Sequence, residues 1–323
     1  MLGLEVAVAN TVRRNCKVLV IANGVFGEGF SDLVKMYGGE PVVLSLDWRR
    51  SASPREVERV LEKNKDVEVV TLVHCDTPSA ILNDLKSVSK VVRDFGPLLV
   101  VDAVSSIGGV EVAVDDCRVD ILIGGSQKVL NAPASLTIIT VSGEAWERIE
   151  KVGYKGFYMD LKLWRDMLDS KEVFPYTFCD PLLYALDEAL EIIFEEGLSN
   201  AYKRHLLARE ASWRALKALG LESYPSTISD SSPTVTAINV PAGINEGLLR
   251  KICWEKYGVM IGGSWGRLAG KVIRLGHMGV QASLSHLVLG YTALARALSE
   301  AGYKASVAEA VKAIEEVYGK FIG

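Results

Sequence analysis

Histidine and cysteine are scarce in this chain of 323 residues, which has four histidines (His74, His205, His277, His286) and five cysteines (Cys16, Cys75, Cys117, Cys179, Cys253). No H-E-x-x-H and no C-x-x-C pattern occurs among them, so a metallohydrolase or a structural zinc site has no ligand set to stand on, and no metal is expected. The odd, dispersed cysteines argue against a disulfide framework and fit reduced thiols in a cytoplasmic protein. Long apolar runs are also missing. The longest, residues 67–73 and 97–101, are strand-sized, well short of the ~18–20 residues of a membrane helix. Charge of one sign is absent too: Lys+Arg 36 against Asp+Glu 40 leaves a net charge of −4 with no like-charge block, so nucleic acid is an unsuitable partner. Residues 1–9 (MLGLEVAVA) lack the cationic start of a signal peptide and read as a buried helix with no capping residue before it.

What is present is ample apolar material, 49% of residues against 24% charged, enough for a sizeable core. Short β-branched runs at residues 17–22, 41–44, 67–73, 98–102, 119–123 and 136–141 alternate with helical patterns at 30–37, 54–63 and 82–95. That alternation predicts an α/β fold, a large, mostly parallel sheet with helices on both faces. Beyond residue 141 come helical stretches at 182–195 and 201–219 and a polar link at 223–232. Strands at 235–240, 259–262 and 272–275, a helix at 246–257 and a helical pair over 283–318 follow. The expected division is a large domain over residues 1–220 and a smaller C-terminal α+β domain over 221–323.

Ligands of such sheets bind at the carboxyl ends of the strands, and two charged residues fall there. Asp102 closes the run LLVVD, where a buried carboxylate calls for a cation; a helix cap or turn aspartate is the plainer reading. Lys128 ends the stretch ILIGGSQK, just past an apolar strand and an expected Gly-Gly turn. Burial there lowers a lysine pKa and makes it a nucleophile for carbonyls, although most lysines are simply solvated. Pyridoxal phosphate demands this pair, a lysine for the Schiff base and a carboxylate to keep the ring nitrogen protonated.

The segments VVDAVSSIGG (100–109) and DILIGGSQKVLNAP (120–133) closely resemble class V, fold-type I pyridoxal-phosphate aminotransferases. The branch is that of the serine:pyruvate and alanine (serine):glyoxylate enzymes. The segments ANGVFG (22–27), HCDTPS (74–79), FYMD (157–160), TVT (234–236) and VIRLG (272–276) fall in the family's order. The resemblance implies transamination between serine or alanine and glyoxylate or pyruvate by a homodimer with shared active sites. It makes Lys128 the cofactor-bearing lysine and proton shuttle, and Asp102 the partner of the pyridine nitrogen. Val104 and Phe26 would cover the two ring faces, and Thr77 would approach the 3-oxygen. Gln127 would touch the phosphate, and Thr177 would reach the phosphate of the neighbouring subunit. Arg274 would take the substrate α-carboxylate, as a guanidinium does through paired hydrogen bonds. His277 reads as structural. Alone, Phe26, Thr77 and Arg274 equally suit a core phenylalanine, a turn threonine and a surface arginine.

Departures from the family pattern include Ala80 for a glycine, the glycine-free stretch Ala132–Ser135, and Phe174 for a phosphate-binding tyrosine. Family members carry further chain before the helix that begins at Leu2, including a Ser-Gly-rich turn whose amides cradle phosphate. On that comparison an N-terminal segment is missing and weak cofactor binding is expected. The alternative reading is therefore a weakly binding or inactive member serving as a binding or assembly subunit. A cysteine desulfurase is disfavoured, since no cysteine lies in a recognisable catalytic loop.

Overall fold

The computed structural model describes residues 1–170 and 174–322. The chain opens with α1 (Leu2–Thr11), whose residues from Val6 through Thr11 are all buried. A helix apolar all round has to be covered on every side. Gly3 makes this possible, because a Cβ there would meet Ile123 Cγ2 at 2.6 Å.

Next come β1 (Lys17–Ala22), α2 (Val25–Met36), β2 (Glu40–Ser45), α3 (Pro54–Lys63) and β3 (Val67–Val73). A short hairpin of β4 (Cys75–Asp76) and β5 (Ile81–Leu82) precedes α4 (Leu85–Phe95), β6 (Leu98–Asp102), β7 (Ile121–Gly125) and β8 (Thr137–Val141). The main sheet runs β2-β1-β3-β6-β7-β8, parallel throughout except that β8 is antiparallel to β7. Alternate residues feed two cores. Leu19, Ile21, Leu72, Leu99 and Val101 face α3 and α4, whereas Val18, Val20, Val69, Val100 and Ile121 face α1 and α2. Burial on both faces is why these strands are continuous apolar runs.

After β8 come α5 (Gly143–Val152), α6 (Leu161–Ser170), α7 (Asp180–Glu196) and α8 (Leu198–Ala218). A second antiparallel sheet, β10-β11-β9, is built from β9 (Val235–Asn239), β10 (Gly262–Gly263) and β11 (Val272–Gly276). It packs with α9 (Glu246–Tyr257), α10 (Leu284–Glu300) and α11 (Val307–Ile322) around Tyr291, Leu294, Leu249 and Ile314. The buried face of α8, with Ala208, Ala211 and Ala215, joins this core. Among the described residues no helix is long and apolar enough to cross a membrane.

Several boundaries differ from the sequence expectation for physical reasons. The strand placed at 119–123 starts at Ile121 and runs through Gly125, so Gly124-Gly125 is not a turn but the paired end of β7 opposite Ile138 and Thr137. The helix placed at 30–37 begins at Val25, and the one placed at 82–95 begins at Leu85 behind the Asp84 cap. The strand expected at 259–262 is only the Gly262–Gly263 pair.

The glycine-free departures carry a conformational cost. Ala80 stands at φ 56° and the exposed Ser135 at φ 118°, where an L side chain is crowded. Ser135→Gly relieves that strain with no buried methyl lost, and we expect a gain of about 1 kcal/mol after the glycine's unfolded-state entropy is counted. Thermal unfolding beside the parent chain checks this; an unchanged or lower Tm contradicts it.

Candidate active site

Register places the carboxyl ends of the central strands side by side. Val73 pairs with Asp102, and Asp102 with Ile123. The segments leaving β1, β3, β6 and β7 therefore emerge along one edge, carrying Phe26, Thr77, Val104 and Lys128.

Two carboxylates are buried here. Asp76 is fully enclosed, yet well supplied with donors: its Oδ2 accepts the Phe26 N–H at 2.9 Å, and its Oδ1 accepts the Ser79 hydroxyl at 2.8 Å and the Ser79 N–H at 3.1 Å. It thus caps α2 from outside that helix's own sequence. Gly24 permits the approach, since a Cβ there would meet Asp76 Cγ at 2.2 Å. Asp102 is differently placed. Its Oδ1 accepts the Val104 N–H at 2.9 Å, but burial, with Asp76 nearby, pushes its pKa up to about 6.

Lys128 sits in the turn after β7, closed by Ser126, whose hydroxyl donates to Pro133 O at 2.6 Å. Burial pulls the Lys128 pKa down and the positive field of Arg274 adds to it, against weaker pulls from Cys75 and Asp102. Arg274 lies on β11 opposite Gly262, and its Nε donates to Gly263 O at 2.7 Å. Burial lowers its pKa, with Asp76 opposing. Lys128, Asp102, Arg274 and Asp76 thus share one electrostatic neighbourhood.

Phe26 and Val104 both pack against the core beneath α1 and α2. The Thr77 hydroxyl is hydrogen-bonded to that of Ser105. Gln127 is exposed, with its Oε1 3.0 Å from where a Gly125 Cβ would lie. Thr177 lies elsewhere: it is exposed and lines a groove of about 560 Å³ beside β8, with Tyr158, Trp164 and Tyr176. Phe174 packs near it on Phe178, ring centroids 4.6 Å apart. His277 is fully buried, its Nε2 2.9 Å from the Thr236 hydroxyl and its pKa held down at about 3 by burial, a neutral packing residue.

The profile of the family "Aminotransferase class-V" matches residues 12–287. The chain is a class V aminotransferase. It is 41% identical over 279 residues to an uncharacterized aminotransferase of Methanocaldococcus jannaschii, covering 86% of this chain and 72% of the relative. It is 37% identical to a serine–glyoxylate aminotransferase of Methylorubrum extorquens, covering 88% and 72%. Among solved structures, pyridoxamine-pyruvate aminotransferase from Mesorhizobium loti superposes with a TM-score of 0.96 at 32% identity, covering 99% of this chain and 82% of that one. The fold is that of fold-type I, whose class V aminotransferases depend on pyridoxal phosphate.

Sequence reasoning on this aminotransferase passed over Asp76, Ser105, Asn131 and Trp265. Asp76 had a readable signal, an acid directly after an apolar strand inside HCDTPS. Its partner Phe26 lies 50 residues away, and no local pattern reports that.

The Asp102 shift has a testable sign. An acid whose folded pKa lies near 6, above its ordinary 3.8, is held protonated more tightly in the folded chain. Stability is therefore lost as pH rises from about 4 to about 6, by about 3 kcal/mol. In the cofactor-free aminotransferase, Asp102→Asn should melt higher than wild type above pH 6, with the gap closing by pH 4. The buried histidines titrate in both proteins and cancel in the difference. A gap independent of pH contradicts the assignment.

Proposed function

We propose that this aminotransferase moves the amino group between a small amino acid, serine or alanine, and glyoxylate or pyruvate, using pyridoxal 5'-phosphate. The observation that carries this reading is the convergence of a buried acid (Asp102), a desolvated amine (Lys128) and a guanidinium (Arg274) on one sheet edge. The alternative of a binding or assembly subunit finds no support in the family or the site.

The residues fit the group chemically. A buried carboxyl with its pKa near 6 gains from a cationic ring nitrogen beside it. The apolar side chains of Phe26 and Val104 suit the faces of a flat ring, and Thr77 lies beside the buried Asp76 for contact with the ring's 3-oxygen. Gln127 and the amino end of α1 would meet the phosphate, the helix through its free N–H groups. When bound, pyridoxal phosphate supplies an electron sink that makes the substrate's Cα–H acidic.

The chain's own work is positioning and proton transfer. Arg274 has its Nε committed to Gly263 O, which leaves Nη1 and Nη2 to hold an α-carboxylate in parallel hydrogen bonds. Lys128 Nζ, its basicity lowered by burial, is suited to take the α-proton and return it to the acceptor. Asp102, buried and short of a cation, would hold the ring nitrogen in its protonated form.

Borohydride reduction in the presence of pyridoxal phosphate, followed by peptide mapping, should place the pyridoxyl group on Lys128. Arg274→Ala should lower kcat/KM for amino and oxo acids by about 2–4 kcal/mol, with cofactor absorbance little changed. Label on another lysine, or unaltered kinetics, contradicts the reading. The donor panel includes pyridoxamine, for which the Mesorhizobium loti relative is named.

A homodimer belongs to the same reading. Of α7 only Ile193 is buried; Leu183 and Phe194 are exposed on one face of the helix, and Tyr184 and Ile192 are exposed elsewhere around it, apolar surface of the kind obligate interfaces cover. Thr177 stands just before that helix, as a residue reaching a neighbour's phosphate should. Sedimentation equilibrium should give the mass of two chains, and Leu183→Asp with Phe194→Asp the mass of one. A monomeric wild type overturns it.

A further inference from the structure

Between β10 and β11 the chain crosses in front of the site as residues 264–268, and both ends of this crossing are fastened. The Ser264 hydroxyl donates to Pro78 O at 2.9 Å. Arg267 lies 3.7 Å over the Trp48 ring and pairs with Glu28. Leu268 is buried with Trp48, Cys75 and Ala80. The backbone at Trp265 is thus held between anchors at Pro78, Trp48 and Glu28, all contributed by the part of the chain that carries the large sheet.

Trp265 itself is 53% exposed, an unusual position for an indole in a fastened segment. Its ring meets Phe26 edge-on, centroids 6.0 Å apart at 82°, and the Arg274 guanidinium carbon lies 5.1 Å from its centroid. The indole therefore bridges the aromatic at α2 and the guanidinium on β11. A carboxylate held by Nη1 and Nη2 of Arg274 has to lie beside this ring, and the substrate's α-carbon follows directly behind it. The guanidinium is in turn oriented from two sides, by Gly263 O and by the indole face.

We propose that Trp265 is the specificity-determining side chain of this aminotransferase, walling the space beside Arg274 so that amino and oxo acids with small, uncharged side chains enter and bulky ones do not. This rests on the reading of Arg274 as the carboxylate anchor. The fastened crossing gives the wall its force: a loose loop yields to a larger ligand, whereas displacing Trp265 disturbs the Ser264, Arg267 and Leu268 contacts together. A rigid apolar wall discriminates by volume, and its neutral surface supplies no cation to offset the desolvation of a second carboxylate.

The test combines kinetics with binding. With the cofactor-loaded enzyme, Trp265→Ala should raise kcat/KM for leucine and phenylalanine at least tenfold relative to alanine, chiefly through KM. Calorimetry with non-reacting acids gives a readout apart from turnover: wild type should bind propionate more tightly than 4-methylpentanoate, Trp265→Ala should reverse that order, and Arg274→Ala should lose both. Trp265→Leu keeps an apolar contact with Phe26 and carries the same expectation at smaller size, which covers an alanine variant that fails to fold. Unchanged ranking of donors and acids in the Trp265 variants overturns the inference while leaving the transaminase reading intact. Wild type inactive with every donor, yet showing the acid ranking and its reversal, would overturn the reaction assignment and leave Trp265 as the wall.

Discussion

Two carboxylates buried along one sheet edge, Asp76 and Asp102, set the terms for everything around them. An ionised carboxyl taken out of water costs several kcal/mol unless donors or a cation meet it. Asp76 accepts hydrogen bonds from Val25, Phe26 and Ser79, which oppose the upward push of burial on its pKa. Those bonds hold the start of α2 and so fix where Phe26 stands. Asp102 has the Val104 N–H, while its burial and the neighbouring Asp76 raise its pKa. One acid is a structural rivet, and the other keeps an unmet demand for positive charge. That asymmetry makes Asp102 suitable for a ligand.

The parts of this arrangement that sequence revealed are those that local pattern encodes. Parallel strands covered on both faces are unbroken apolar runs, so β1, β3 and β6 were legible to the residue. Asp102 and Lys128 stood out because the first closes such a run and the second comes three residues after the end of one. Helix starts were less legible where the cap is remote: α2 begins at Val25 because Asp76 reaches it across the fold. Gly124 and Gly125 suggested a turn, yet they are small because Ile107, Ile138 and Val104 crowd the end of β7. Trp265 was invisible in sequence, since its meaning lies in contacts with Phe26 and Arg274, both on other elements.

The second sheet does more than add bulk. β11 brings Arg274 to the large sheet's edge, and the crossing before it is tied to Pro78, Trp48 and Glu28. The core around Trp48 and Leu268 joins Cys75 and Ala80 of the β4-β5 hairpin to Val235, Ala237 and Val272 of the second sheet. The strained Ala80 backbone, φ 56°, falls at this seam. Strain there is tolerable because the surrounding contacts over-determine the backbone; Ala80 O accepts the Ser232 N–H at 2.8 Å.

A second tie acts on Lys128 from the opposite side. Asn131, three residues on, accepts the Val280 N–H at 2.6 Å and returns to Lys128 O at 3.3 Å. The adjacent Gly279 is gripped by Arg204 through its carbonyl and by His205 Nε2 through its N–H at 3.0 Å. Because His205 Nδ1 faces the Ala201 carbonyl at 2.7 Å, that nitrogen carries the proton and Nε2 is free to accept. Burial keeps the ring neutral, with its pKa near 4. No side chain fits at position 279, where a Cβ would meet Asn131 Oδ1 at 1.9 Å. The segment that follows Arg274 is therefore fastened to the turn that presents Lys128. Movement of the second sheet against the turn is opposed by these side-chain-to-backbone hydrogen bonds, which hold the amine and the guanidinium in relation to each other as much as the site itself does.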